Sequence, residues 1–170
     1  MQSRVKLLGH PVHQMLVVVP LGLFVMAVLF DLADVVLDRM TWATTSYWNI
    51  AGGIVIGLIA AAFGAADWLA IPAGTRAKRI RAVHGVGNVF VVALFAVALA
   101  IRASQFGHDV TRFALVLELG AFLLGAVTGW LGGELVDRMG IGVDDGANAN
   151  APNSITHKTI GGPGIPAARA

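Results

Sequence analysis

Four apolar stretches, each near the length of about 20 residues that a bilayer core demands, constrain this chain more than any other feature in it. They run over 12–37, opening VHQMLVVVPLGLFVMAVLF, then over 48–71, 83–101 and 113–136. None alternates polar and apolar residues as a strand of an outer-membrane barrel would, so the fold class is all-α. The first stretch is too long for a signal-peptide core, and no small-residue cleavage site follows it. The expected architecture is an integral membrane four-helix bundle over 1–139, with a tail over 140–170.

Composition agrees and narrows the function classes. The chain is 56% hydrophobic and 13% charged, with a mean hydropathy of +0.75; soluble domains carry roughly 25% charge. The pI of about 9.5 would suit nucleic acid, but a net charge of +2 does not, so no nucleic-acid partner is expected. The absence of cysteine excludes disulfides, iron–sulfur ligation, thiol catalysis and covalent c-type haem attachment. A b-type haem or a non-haem metal held by His and carboxylates stays open. No triad, phosphate loop or paired-carboxylate hydrolase site stands out, so no catalytic residue is assigned.

Lys and Arg placement sets the orientation. Arg4 and Lys6 lie at the amino terminus. Arg76, Lys78, Arg79 and Arg81 lie in GTRAKRIRAVHG, and Arg138, Lys158 and Arg169 lie in the tail. These nine face only Arg39, Arg102 and Arg112 in the other two connections. Both termini are therefore expected in the cytoplasm, in a multi-pass protein of a bacterial inner membrane. From 140 on, the Gly-, Pro-, Asn- and Ala-rich tail shows no periodic apolar face and is expected to have no core of its own.

Within lipid, small residues mark where helix backbones approach. Gly53, Gly57, Ala61 and Gly64 form one such stripe, and Gly125, Gly129 and Gly133 another; interior faces of the bundle are expected over a homodimer interface. Pro20 should kink the first helix.

Sorted by depth, polar groups converge near the cytoplasmic face. His10 and His13 start the first helix, with Pro11 at a first helical position. His84 opens the third, with Asn88 one turn on. Asp67 and Trp68 end the second helix, and Glu134 ends the fourth. Intramembrane ionisable groups are costly and usually face the interior or water. A b-type haem needs two imidazoles across a gap, which His84 with His13 or His10 supplies, and Asp67 or Asn88 would orient a ring. Of the two partners, His13 is favoured because it lies about a turn deeper. A non-haem iron, zinc or manganese site would use His10, His13, Asp67, His84 and Glu134 instead. A cofactor-free polar network holding the bundle in register is the third alternative.

At the other face, Asp31, Asp34 and Asp38 share one side of the first helix and read as a solvated helix end. Glu118 is the most deeply embedded acid, and His108 lies in the connection before it; together they could gather protons or a cation. Trp42, Tyr47, Trp48, Trp68 and Trp130 read as interfacial anchors, with Trp68 and Trp130 also candidate pocket walls.

Taken in order, GHPVHQMLVVVPLGL, FDLAD, FGAADWL, HGVGN and GWLGGELVDRMGIGV resemble one family of small bacterial predicted membrane proteins without an assigned function, over roughly residues 8 to 143. Members tend to carry a second Pro after the second His; here Gln14 stands there, which should loosen the helix start. The family occurs alone and fused to Rieske or cytochrome modules. The resemblance therefore implies a membrane subunit or accessory protein of a redox system, with other membrane subunits as partners.

Overall fold

The computed structural model describes residues 1–37 and 40–157. Among them, four helical runs are long and apolar enough to cross a membrane: Val12–Leu37, Thr41–Ala70, Arg76–Ala103 and Phe106–Arg138. The fold is mostly helical, as the apolar stretches require. The first run comprises a short α1 (Val12–Leu16) and α2 (Val18–Leu37), followed by α3 (Met40–Ala70), α4 (Arg76–Ala103) and α5 (Arg112–Gly133). The first run has the expected bounds and the other three are longer than expected, α3 and α4 taking in polar turns at 40–47 and 76–82.

The break at Val17 has a local cause. Pro20 has no N–H to return to the Leu16 carbonyl, so one bond of the ladder is missing one turn earlier. The chain resumes with Leu21 N–H donating to Val17 O at 3.2 Å.

Spacing explains the packing. Buried residues on α2 are Pro20, Phe24, Ala27, Val28, Asp31 and Asp34; on α4 they are Val91, Phe95, Ala98 and Arg102. On α3, Ala43, Ser46, Ile50, Gly53, Ala60, Gly64 and Asp67 are buried at alternating three- and four-residue steps broken only at the half-buried Gly57. That is the seam of a helix packed along its length. The small-residue stripe of α3 thus runs through Ala60; Ala61 is exposed. Helices pair as hairpins, α2 with α3 and α4 with α5. The apolar middle of the bundle holds Phe24, Ala27, Val28, Ile50, Val91, Phe95 and Ala121, with the Phe24 and Phe95 rings stacked at 4.2 Å.

The second glycine stripe departs from its expected place. A Cβ at Gly125, Gly129 or Gly133 would meet nothing within 4 Å, so this face of α5 points out of the bundle. Within the helices, the glycines that a neighbour's side chain approaches most closely are Gly53 beside Phe24, Gly87 beside Thr128, Gly64 beside His13 and Gly132 beside His84.

Both ends of the described chain meet at one end of the bundle, here the terminal end. A two-stranded hairpin pairs β1 (Lys6–Leu7) with β2 (His10–Pro11) around Leu8 and Gly9, both with positive φ, as a two-residue turn of this hand requires. After α5 the helix widens to a π turn at Glu134–Arg138. The segment from 140 is not free of core contacts: Ile141 is buried with Ile71 and Leu135. Gly142 N–H donates to Met1 O at 2.9 Å, and Lys6 pairs with Asp144 at 3.2 Å. The Gly146 N–H, and then Lys6, hold the Asp144 carboxyl below the usual carboxylate range. The Ile141 anchor was hidden in the sequence by its Gly- and Asn-rich surroundings. Residues Lys158 and Arg169 of the tail, and Asp38 and Arg39, lie outside the described residues.

Candidate functional site

At the terminal end, each hairpin contributes one half-buried histidine. His13 on α1 bonds through Nδ1 to Ala60 O on α3 at 2.8 Å. His84 on α4 bonds through Nδ1 to Thr128 O on α5, also at 2.8 Å. A carbonyl only accepts, so both rings carry a proton on Nδ1; the Nε2 of His84 faces the Asn88 amide. Two glycines make this possible. A Cβ at Gly64 would come within 2.8 Å of the His13 ring, and one at Gly132 within 3.2 Å of the His84 ring.

Further polar groups tie the layer together. Arg81, three residues before His84 on α4, donates to Gly64 O on α3 at 3.2 Å, crossing between the hairpins beside His13. Asn88 donates to His84 O at 2.8 Å and lies 3.3 Å from His84 Nε2, while Thr128 donates to Asn88 Oδ1 at 3.2 Å. Asn88 therefore orients His84, as its one-turn spacing suggests.

The remaining members of the expected set lie elsewhere. His10 is exposed on β2, with Ser154 Oγ 3.3 Å from its Nε2. Asp67 is buried but committed to the amino-terminal segment, accepting from Ser3 Oγ at 2.8 Å and from Arg4 N–H at 2.8 Å. Glu134 pairs with Arg76 at 2.8 Å. Among the described residues, no group of three or more His, Cys, Asp or Glu is placed to hold a metal ion. Trp68 is tied to the following turn by Lys78, whose Nζ sits 4.2 Å from its ring, and Trp130 faces outward. Neither walls the histidine layer.

The largest departure from the sequence expectation is at the far end of the bundle. Asp31 and Asp34 do not form a solvated face: Asp31 is fully buried and Asp34 is 8% exposed. Arg102 does not belong to the connection after α4. Its guanidinium is fully buried in the bundle, donating to Asp31 Oδ2 at 2.8 Å, Glu118 Oε1 at 2.9 Å and Ala43 O at 2.8 Å. Ser46 also donates to Asp31. Embedded Glu118 was visible in the sequence, but its cation was missed. The signal was the face shared by Val91, Phe95, Ala98 and Arg102, which continues the buried stripe of α4 to its last turn. His108 lies over this end, its ring stacked on Tyr47 at 3.8 Å.

The chain matches the family described as Predicted membrane protein (DUF2231) over residues 9–145. No curated protein and no solved structure matches it.

Proposed function

The chain belongs to the DUF2231 family of predicted membrane proteins, and from this premise we propose that it is a membrane subunit of an electron-transfer system that holds a b-type haem between His13 and His84. The observation that carries the reading is the shared tautomer of the two histidines. Ligating imidazoles almost always donate their other N–H to a carbonyl or carboxylate, which fixes the ring and raises the basicity of the ligating nitrogen. His13 and His84 do so to Ala60 and Thr128, one in each hairpin.

When bound, the haem iron supplies reversible one-electron transfer. Everything else falls to the protein. Ala60 and Thr128 orient the rings, and Gly64 and Gly132 keep their flanks clear. Asn88 holds His84 through its backbone bond, so its 3.3 Å contact with Nε2 can be given up without loss of the helix position. Arg81 is the cation of the layer, suited to a propionate carboxylate. The outward stripe Gly125, Gly129, Gly133 suits close packing of a partner subunit's helix. The terminal end faces the cytoplasm of a bacterial inner membrane, a reading supported by Arg4, Lys6, Arg76, Lys78, Arg79, Arg81 and Arg138, which lie at that end.

The test is an optical spectrum with metal analysis, on protein expressed with ample haem. Two imidazoles give low-spin six-coordinate iron with sharp visible bands in the reduced state. His13→Ala and His84→Ala should each abolish these bands, while His10→Ala, His108→Ala and His157→Ala should keep them. Folded, colourless protein with stoichiometric iron or zinc would replace this reading with a non-haem site. Colourless protein without metal would leave a scaffold held by the same hydrogen bonds.

A further inference from the structure

The cluster of Asp31, Ser46, Arg102 and Glu118 plays no part in the histidine layer, and its charges do not balance. Arg102 Nη1 serves one oxygen of each acid, Asp31 Oδ2 and Glu118 Oε1, while its Nε donates to His108 O at 3.1 Å. The other two oxygens, Asp31 Oδ1 and Glu118 Oε2, are buried and receive no hydrogen bond. Yet the two carboxyl groups are neighbours, since both accept from the same nitrogen, Arg102 Nη1, at 2.8 and 2.9 Å.

Two consequences follow from charge and donor count. With every group ionised, two carboxylates and one guanidinium leave one negative charge, in a place where all three side chains have no exposed surface. Such a charge is expensive in a bundle surrounded by lipid. Moreover, two carboxylates are acceptors only, so they bond to each other only when one carries a proton. A single proton answers both: it cancels the charge and supplies the missing donor.

We infer that Asp31 and Glu118 share one exchangeable proton, making this cluster a proton-binding site at the far end of the bundle. The polar and titratable groups at this end of the bundle are Asp31 and Asp34 from α2, Ser46 and Tyr47 from α3, Arg102 from α4, Glu118 from α5, and His108 and the exposed Asp109 from the intervening connection. Asp34, the neighbouring acid on α2, is 8% exposed and also has a buried oxygen, Oδ1, without a hydrogen-bond partner, so its own variant belongs in the test. The stacked Phe24 and Phe95 rings lie between the cluster and the histidine layer, so exchange runs to the far side. The proton binds whether or not the histidines hold a haem.

Infrared spectroscopy of the folded protein, in a detergent without carbonyl groups, tests this directly. At neutral pH the wild type should show the carbonyl stretch of one protonated carboxyl group, shifting in D2O. Glu118→Gln and Asp31→Asn should each remove it, since either leaves one acid neutralised by Arg102. Arg102→Gln should double it, since two acids without a cation are both protonated. Asp34→Asn should leave it unchanged. A wild-type spectrum without a protonated carboxyl overturns the inference and needs no variant to fold. A band that survives both Glu118→Gln and Asp31→Asn, or that disappears with Asp34→Asn, overturns it equally.

Discussion

Single residues in this bundle are judged by what a neighbour leaves them. A Cβ at Gly53 would sit 2.6 Å from the Phe24 ring, which is pinned against Phe95 and has nowhere to go. Gly53→Ala should therefore cost about 1–3 kcal/mol by overpacking. Gly129→Ala, meeting nothing within 4 Å, should stay within about 0.5 kcal/mol. Reversible unfolding in detergent would measure both; equal costs would contradict the outward placement of the α5 stripe. Arg102→Met should cost about 3–5 kcal/mol, because it strands two buried carboxyl groups. Sequence reading found His13, His84, Asn88 and Glu118 by depth, since a polar residue inside an apolar run is conspicuous. It missed Arg102 because a charge at the last turn of a span looks like the start of a connection. Only its register with Val91, Phe95 and Ala98 says that it turns inward, and burial depends on Asp31 and Glu118 arriving from other helices.

At the scale of elements, the apolar runs foretold the helices well and their ends poorly. Capping explains part of this. Thr75 and Thr111 accept from Lys78 N–H and Ala114 N–H, starting α4 and α5 at Arg76 and Arg112, one before any apolar residue and the other one residue before Phe113. Pro20 was expected to bend the first helix, and the chain is divided one turn earlier, at Val17. Pro20→Ala should restore a bond to Leu16 O and straighten the helix. On the haem reading, that swings His13 away from its place beside Gly64 and lowers bound haem per protein, with helicity unchanged or slightly raised. Absorbance and circular dichroism on one preparation separate the two effects. Undiminished haem would mean that the break does not position His13.

For the whole molecule, the charge pattern of the sequence predicts a topology. Reporter fusions after Ala103 should report the periplasm, and fusions after Ala77 or at the carboxyl end the cytoplasm. A periplasmic tail would reverse the orientation of both polar layers. The terminal end was least legible in the sequence, since Ile141 sits in a stretch whose composition resembles a free tail; its burial follows from Leu135 and Ile71 being brought together by the ends of α5 and α3. Ile141→Asp should loosen this clasp, seen as faster amide exchange over 1–11 and 135–145 with the spans unaffected. The burial of Arg102 also bears on how the protein is made. Asp31 belongs to α2 and precedes Arg102 in the chain, whereas Glu118 belongs to α5 and follows it. The arginine can leave water for good only after α5 has delivered its acid, so the last helix closes the structure.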